Sequence, residues 1–321
     1  MFSLLTMLSL SACAGSISRA HAETTQPLVS TQGATAIPQT GYTSAVPATY
    51  QAASAQPGTV TRLDYESRDY VRDSAPITKT AYVYTPYGYD ENDTETRYNI
   101  LYLMHGWGGH AGEYFSYTET KNVFDNLIAN GDIPPLIIVS ATFYNANSDT
   151  DFSSSIEEFR AFHLDFENHL MPAVEGWFHT FAVSTSDEDL KASRDHRAFS
   201  GYSRGAVMTW RMLHYGFEYF KYFAPMSCMT RADKKRGETL TETEVIDFVT
   251  APIKAHPELP FFIFASNGGK EDIQEMNVQM NYLTKEHASA TVRIRKRTIS
   301  SMPYRTSTTP TSWFPIIIGT P

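Results

Sequence analysis

Arg197-Ala-Phe-Ser-Gly-Tyr-Ser-Arg-Gly-Ala206 carries the strongest fold signal in the chain. Inside it, Gly201-Tyr-Ser-Arg-Gly205 is a G-x-S-x-G pentapeptide. The residues before it, Arg197 to Ser200, are short and partly apolar, as a strand ending is. After it, Ala206-Val-Met-Thr-Trp-Arg-Met-Leu-His214 spaces apolar residues as a helix does. Strand, sharp turn and helix are the context of a nucleophile elbow. There the turn strains the serine backbone, and the small residues two before and two after let strand and helix approach closely. Ser203 then presents its hydroxyl beside the positive end of the following helix. The rival reading is an ordinary Gly-rich turn; the pentapeptide alone is weak, and its flanks favour the nucleophile.

A second signal lies upstream. Tyr98-Asn-Ile-Leu-Tyr-Leu-Met104 is a nearly continuous apolar run, the mark of a strand buried on both faces. It leads into His105-Gly-Trp-Gly-Gly109. Such a loop donates one backbone N–H to an oxyanion hole, and the residue after the nucleophile donates the other. Those donors are Trp107 and Arg204. Read by itself, the loop is only a Gly-rich turn leaving a strand, but the two motifs in this order weigh against that.

The 321 residues include a leader and a linker, which leaves about 260 for one large α/β domain or two small ones. A hydrophobic content of 42% supplies an ample core. Nineteen Tyr and four Trp exceed what packing needs, and exposed aromatics suit a sugar or phenol cleft, although core filling explains most of them. A net charge of -9 argues against nucleic acid or an anionic membrane as partner. No Cys–His cluster has metal-ligand spacing, so neither metal nor cofactor is expected. Cys13 sits in the leader and Cys228 alone in the domain, so no intrachain disulfide is expected in the mature chain.

Residues 1–22 read as an export signal, too short to anchor as a membrane span. Leu10-Ser-Ala-Cys13 resembles a lipobox, which would place a lipid on Cys13, the one membrane attachment expected. Ala20-His-Ala22 fits simple secretion instead. Either way a secreted or cell-surface bacterial protein is expected. Residues 23–58, rich in Thr, Ala, Ser, Gln and Pro, read as a flexible linker. From Thr59 the pattern changes, with alternating strands over 60–67 and 78–85. A helix near 122–130, a buried strand over 136–142 and a long helix over 155–178 follow. That helix buries one broad face (Ile156, Phe159, Phe162, Leu164, Phe166, Leu170). His163 and His169 on it read as surface or half-buried residues rather than ligands. Further strands fall at 222–227 and 260–266. Alternation of strands and helices predicts a mostly parallel sheet with helices on both faces.

From about 59 to 290 the chain resembles the carbohydrate esterases that include bacterial feruloyl and acetylxylan esterases, within the esterase D-like α/β-hydrolases. Four passages carry the resemblance: Val83-Tyr-Thr-Pro-Tyr-Gly-Tyr-Asp90, Leu101-Tyr-Leu-Met-His-Gly-Trp-Gly-Gly109, Arg194-Asp-His-Arg-Ala-Phe-Ser-Gly-Tyr-Ser-Arg-Gly205 and Ala265-Ser-Asn-Gly-Gly-Lys-Glu-Asp272. It implies an α/β-hydrolase fold and an exported serine esterase acting on acyl esters of plant cell-wall polysaccharide such as xylan. It places the nucleophile on Ser203 and the triad acid on Asp272, with Glu271 as second candidate. Asp272 also reads as the N-cap of a helix over 273–287. Members commonly carry Met after the serine, where this chain has Arg204.

A serine hydroxyl needs a neighbouring imidazole to take its proton. In the family that His follows the acid after one further strand, and no His occurs here after His287, which ends the helix itself, before a strand over 291–297. No triad base is identified. His105, His110, His196 and His214 are each better explained locally. The tail from about 291, Arg293-Ile-Arg-Lys-Arg-Thr298 onward, offers neither the apolar strand nor the helix expected to close the sheet. A slip of the reading frame after about Ala290 would account for this and stands as an expectation. Read two bases late, Ile316-Ile-Ile318 with Gly319 permits His-Trp. Two rivals stand beside the esterase: a surface lipoprotein that binds polysaccharide without hydrolysis, and an acyltransferase of the mycolyl-transfer type.

Overall fold

The computed structural model describes residues 46–116, 118–145, 152–230, 241–268, 279 and 293–299. Its strands are β1 Thr59–Arg68, β2 Pro76–Thr85, β3 Asn99–Met104, β4 Leu136–Ala141, β5 Arg197–Tyr202, β6 Tyr222–Met226, β7 Phe262–Gly268 and β8 Arg293–Ile299. They form one sheet in the order β1-β2-β4-β3-β5-β6-β7-β8. β1 and β2 make an antiparallel hairpin, and β2 runs antiparallel to β4. From β4 to β8 every neighbour is parallel. The helices are α1 Ala48–Gln51, α2 Glu113–Ser116, α3 Thr118–Ala129, α4 Phe152–Asp165, α5 Met171–Trp177, α6 Asp187–Ala192, α7 Arg204–Tyr215 and α8 Glu242–Ala255.

The apolar runs of β3 and β4 are buried because both faces of the sheet are covered. Ile100, Tyr102 and Met104 of β3 enter one core with residues of α4, α5, α7 and α8. Leu101 and Leu103 point the other way, into a second core with Val123, Phe124 and Leu127 of α3. The sheet is therefore mostly parallel with helices on both faces, an α/β fold.

The helix over 155–178 is present as α4, a π-helical turn Phe166–Leu170 and α5 in unbroken succession. Pro172, near the start of α5, has no N–H to give a carbonyl one turn back. The π turn widens the helix where that bond is missing. Two buried ion pairs hold these elements in place. Lys79 Nζ on β2 lies 2.7 Å from Asp165 Oδ2 at the end of α4, and the Tyr65 hydroxyl donates to the same oxygen at 3.0 Å. Glu175 of α5 receives Arg197 Nε at 2.6 Å and Nη2 at 2.7 Å, and it accepts the hydroxyls of Tyr102 and Thr180. Arg197 also gives Nη1–H to the carbonyls of Leu190 and Tyr219, so the N-terminal end of β5 is fixed on every side.

One expectation is corrected. Residues 46–58 were expected to end a flexible linker, yet they pack on α3. Val46 is buried, Asn126 Nδ2 donates to the carbonyls of Tyr50 and Ala52, and the Gly58 N–H donates to Asp125. The strand read over 291–297 is present as β8, which pairs with β7 over its whole length. Cys228, just past β6, is buried. The chain's other cysteine, Cys13, lies outside the described residues with the rest of 1–45.

Candidate active site

β5 ends at Tyr202 and α7 begins at Arg204, so Ser203 alone makes the turn. Its backbone sits at φ 53°, ψ −111°, in left-handed space that a non-glycine residue enters at a cost of about 1–3 kcal/mol. Surrounding bonds hold it there. The Ser203 N–H donates to Met226 O at the end of β6 at 2.8 Å, and its carbonyl accepts from Ala206 and Val207 in the first turn of α7. The side chain does not cap the helix and is half-buried. Close packing requires the two glycines. A Cβ on Gly201 would lie 2.6 Å from the Gly205 backbone, and one on Gly205 would lie 2.1 Å from the Met104 carbonyl of β3. Gly205→Ala is expected to lower stability by about 1–3 kcal/mol, as overpacking against backbone does, read as a lower urea midpoint at constant slope.

The same edge of the sheet carries the other predicted elements. The Ser227 N–H, just past β6, donates to Ser266 O of β7 at 2.8 Å, so the ends of β5, β6 and β7 are tied in sequence. The loop bearing Asp272 leaves β7 at this edge, where parallel sheets bind ligands. Asp272, Glu271 and His287 themselves lie outside the described residues.

From β3, the loop His105–Gly109 folds directly over the elbow. A Cβ built on Gly106 would stand 3.7 Å from the Ser203 Cβ. His105 is 1% exposed, with Nδ1 2.7 Å from Gly106 O and Nε2 2.8 Å from Thr142 Oγ1. A carbonyl only accepts, so Nδ1 carries the proton and Nε2 accepts from the Thr142 hydroxyl. Burial pushes its pKa down to about 4. Above pH 6.5 the ring is neutral folded or unfolded. As pH falls from 6.5 through 4 the unfolded chain binds a proton that the folded chain refuses, so stability drops by up to about 3 kcal/mol. The melting temperature is expected to fall over that window, and His105→Gln to flatten the fall.

Trp107 is 42% exposed, and the Arg204 guanidinium stacks over its ring with Cζ 4.2 Å from the centroid. Arg204 Nη1–H also donates to the Tyr144 hydroxyl at 3.3 Å. The geometry thus brings Ser203, Trp107 and Arg204 together. Thr142 and Tyr144, in the loop after β4, escaped sequence reading; the only hint is their place just past a buried strand.

The eight described histidines are engaged locally. His110 Nδ1 accepts from the Gly112 N–H. His163 stacks on Tyr215, and His169 bonds the Tyr70 hydroxyl. His196 pairs with Asn99, and His214 with the Phe248 carbonyl. His179 packs against the Tyr89 ring, and His256 lies 3.6 Å from Glu258. Together with His105, this leaves no triad base assigned among the described residues.

The Esterase family model matches residues 77–299. The chain belongs to the Esterase family. Within the wider family, the chain is 38% identical over 151 residues to endo-1,4-beta-xylanase Y of Acetivibrio thermocellus, covering 47% of this chain and 13% of that one. It is 30% identical over 211 residues to an endo-1,4-beta-xylanase/feruloyl esterase of Xylanibacter ruminicola, covering 64% and 24%. The aligned parts are thus a quarter or less of these relatives. Among solved structures, a serine-to-alanine variant of the feruloyl esterase module of Clostridium thermocellum, complexed with sinapinate, matches with a TM-score of 0.63. The identity is 27%, over 79% of this chain and 85% of that one. A ferulic acid esterase of Anaeromyces mucronatus shares the fold at 16% identity and a TM-score of 0.59, over 86% and 96%.

Proposed function

We propose that the chain is a serine carboxylesterase that hydrolyses feruloyl or acetyl esters of plant cell-wall polysaccharide such as xylan. One observation carries the reading: Ser203 is held at positive φ between strand and helix, with the His105–Gly109 loop against it. The relatives support the substrate class, since two are xylanases and one module was solved with sinapinate.

In this mechanism Ser203 Oγ attacks the ester carbonyl carbon. The backbone N–H groups of Trp107 and Arg204 receive the negative charge that gathers on the carbonyl oxygen. The bond to the sugar oxygen breaks, leaving an acyl-serine and a free hydroxyl on the polysaccharide. Water then attacks the acyl-serine and releases the acid. Asp272 orients the imidazole that takes the Ser203 proton and returns it to the leaving oxygen. Only an acyl group and protons move, so the mechanism calls for no cofactor. No His follows His287 in the sequence, so that imidazole belongs to the reading in which the frame slips after about Ala290, where Ile316-Ile-Ile318 with Gly319 permits His-Trp. Export, with lipid on Cys13 or without it, belongs to the same proposal.

The test uses feruloylated arabinoxylan and acetylated xylan, with ferulate and acetate measured separately. Release of either acid by the parent chain, and of none by Ser203→Ala, is the expected result. Release of neither acid would remove the hydrolytic reading. A second reading, polysaccharide binding without hydrolysis, draws on the local engagement of all eight described histidines. Retention in a xylan affinity gel without acid release would favour it.

A further inference from the structure

Arg204 occupies two roles at once. Its backbone N–H is one of the two donors proposed for the oxyanion, and its side chain grips the residue that supplies the other. The guanidinium carbon lies 4.2 Å from the Trp107 ring centroid, 5.1 Å from that of Phe159 and 5.7 Å from that of Phe143. One edge of the same group reaches the Tyr144 hydroxyl. The planar fork allows this combination, because its face stacks on an indole while its edge still donates.

Trp107 needs such a hold. It sits between Gly106 and Gly108, the latter at φ 67°, in a stretch with little intrinsic stiffness. The elbow, in contrast, is fixed by the packing of Gly201, Gly205 and β3. A side chain rooted at the first residue of α7 and laid across Trp107 therefore transmits the position of the elbow to the loop.

We infer that the Arg204 side chain is a positioning clasp that sets the Trp107 peptide against Ser203 and thereby governs turnover at the site. The inference rests on the esterase reading of that site. Loosening a donor costs less than deleting one, which lowers turnover by about 100- to 1,000-fold, so about a tenfold loss is expected.

The experiment compares full-length Arg204→Met, Arg204→Gln and Arg204→Lys with the parent by two readouts. The first is acrylamide quenching of the Trp107 emission, obtained by difference against Trp107→Phe in each background. Met and Gln are expected to make Trp107 about twice as quenchable, and Lys, which keeps the charge over the ring, to stay nearer the parent. The second is turnover of p-nitrophenyl acetate: kcat falls about tenfold in Met and Gln with KM within about twofold, and Lys recovers part of the loss. Parental quenching in both Met and Gln, or a change in KM alone, overturns the clasp. A parent chain that turns over no ester defeats the esterase reading instead, and the quenching arm still decides whether Arg204 holds the loop. Using two neutral variants keeps the test open if one of them fails to fold.

Discussion

Ser203→Ala is expected to lower kcat/KM for p-nitrophenyl acetate by about 1,000-fold or more, because the only atom removed is the proposed nucleophile. Stability is expected to hold. The hydroxyl caps no helix, and alanine and serine meet the same steric cost at φ 53°. That pairing of lost activity with an unchanged urea midpoint separates chemistry from collapse of the elbow. A fall of less than about tenfold would assign hydrolysis to another group and leave Ser203 a turn residue.

Arg197→Ala is expected to produce the largest loss of stability, about 3–5 kcal/mol, since it leaves the Glu175 carboxylate buried without its partner. Both side chains of the pair are 1% exposed, so solvent cannot stand in for the guanidinium. The same substitution strips the Leu190 and Tyr219 carbonyls of a donor. Against a typical total of about 5–15 kcal/mol, such a loss leaves much of the protein unfolded near its melting range. Replacing both partners by apolar residues, Arg197→Met with Glu175→Leu, is expected to be milder than Arg197→Ala because no charge remains stranded. Urea unfolding at pH 7 measures both. A loss below about 1 kcal/mol for Arg197→Ala would mean the pair is solvated, contrary to the burial described.

What could be read from sequence was local. The elbow announces itself within five residues, because strain at the serine demands small neighbours at fixed offsets. The apolar runs of β3 and β4 likewise state that both faces are covered. Side-chain partners distant in the chain were silent: nothing near Lys79 points to Asp165, and nothing in either motif announces that the Arg204 guanidinium lies over the Trp107 ring. Val46 was hidden in a polar, Thr- and Ala-rich stretch, since one apolar residue makes no period. The start of α8, however, was legible in Thr241-Glu-Thr-Glu244. Its first and last residues form a reciprocal capping box, a signal the sequence reading did not use. β8 was legible as a strand over 291–297 despite its four cations, which suit the edge it occupies among the described strands.

The central claim is that Ser203 is an activated nucleophile facing the cleft. A fluorophosphonate probe tests it most directly, by forming a phosphonyl–oxygen bond with such a serine and expelling fluoride. After digestion, mass spectrometry is expected to find the adduct on the peptide containing Gly201-Tyr-Ser-Arg-Gly205, and to find none in Ser203→Ala. An adduct on a different serine, or none on the folded parent chain, would contradict the account.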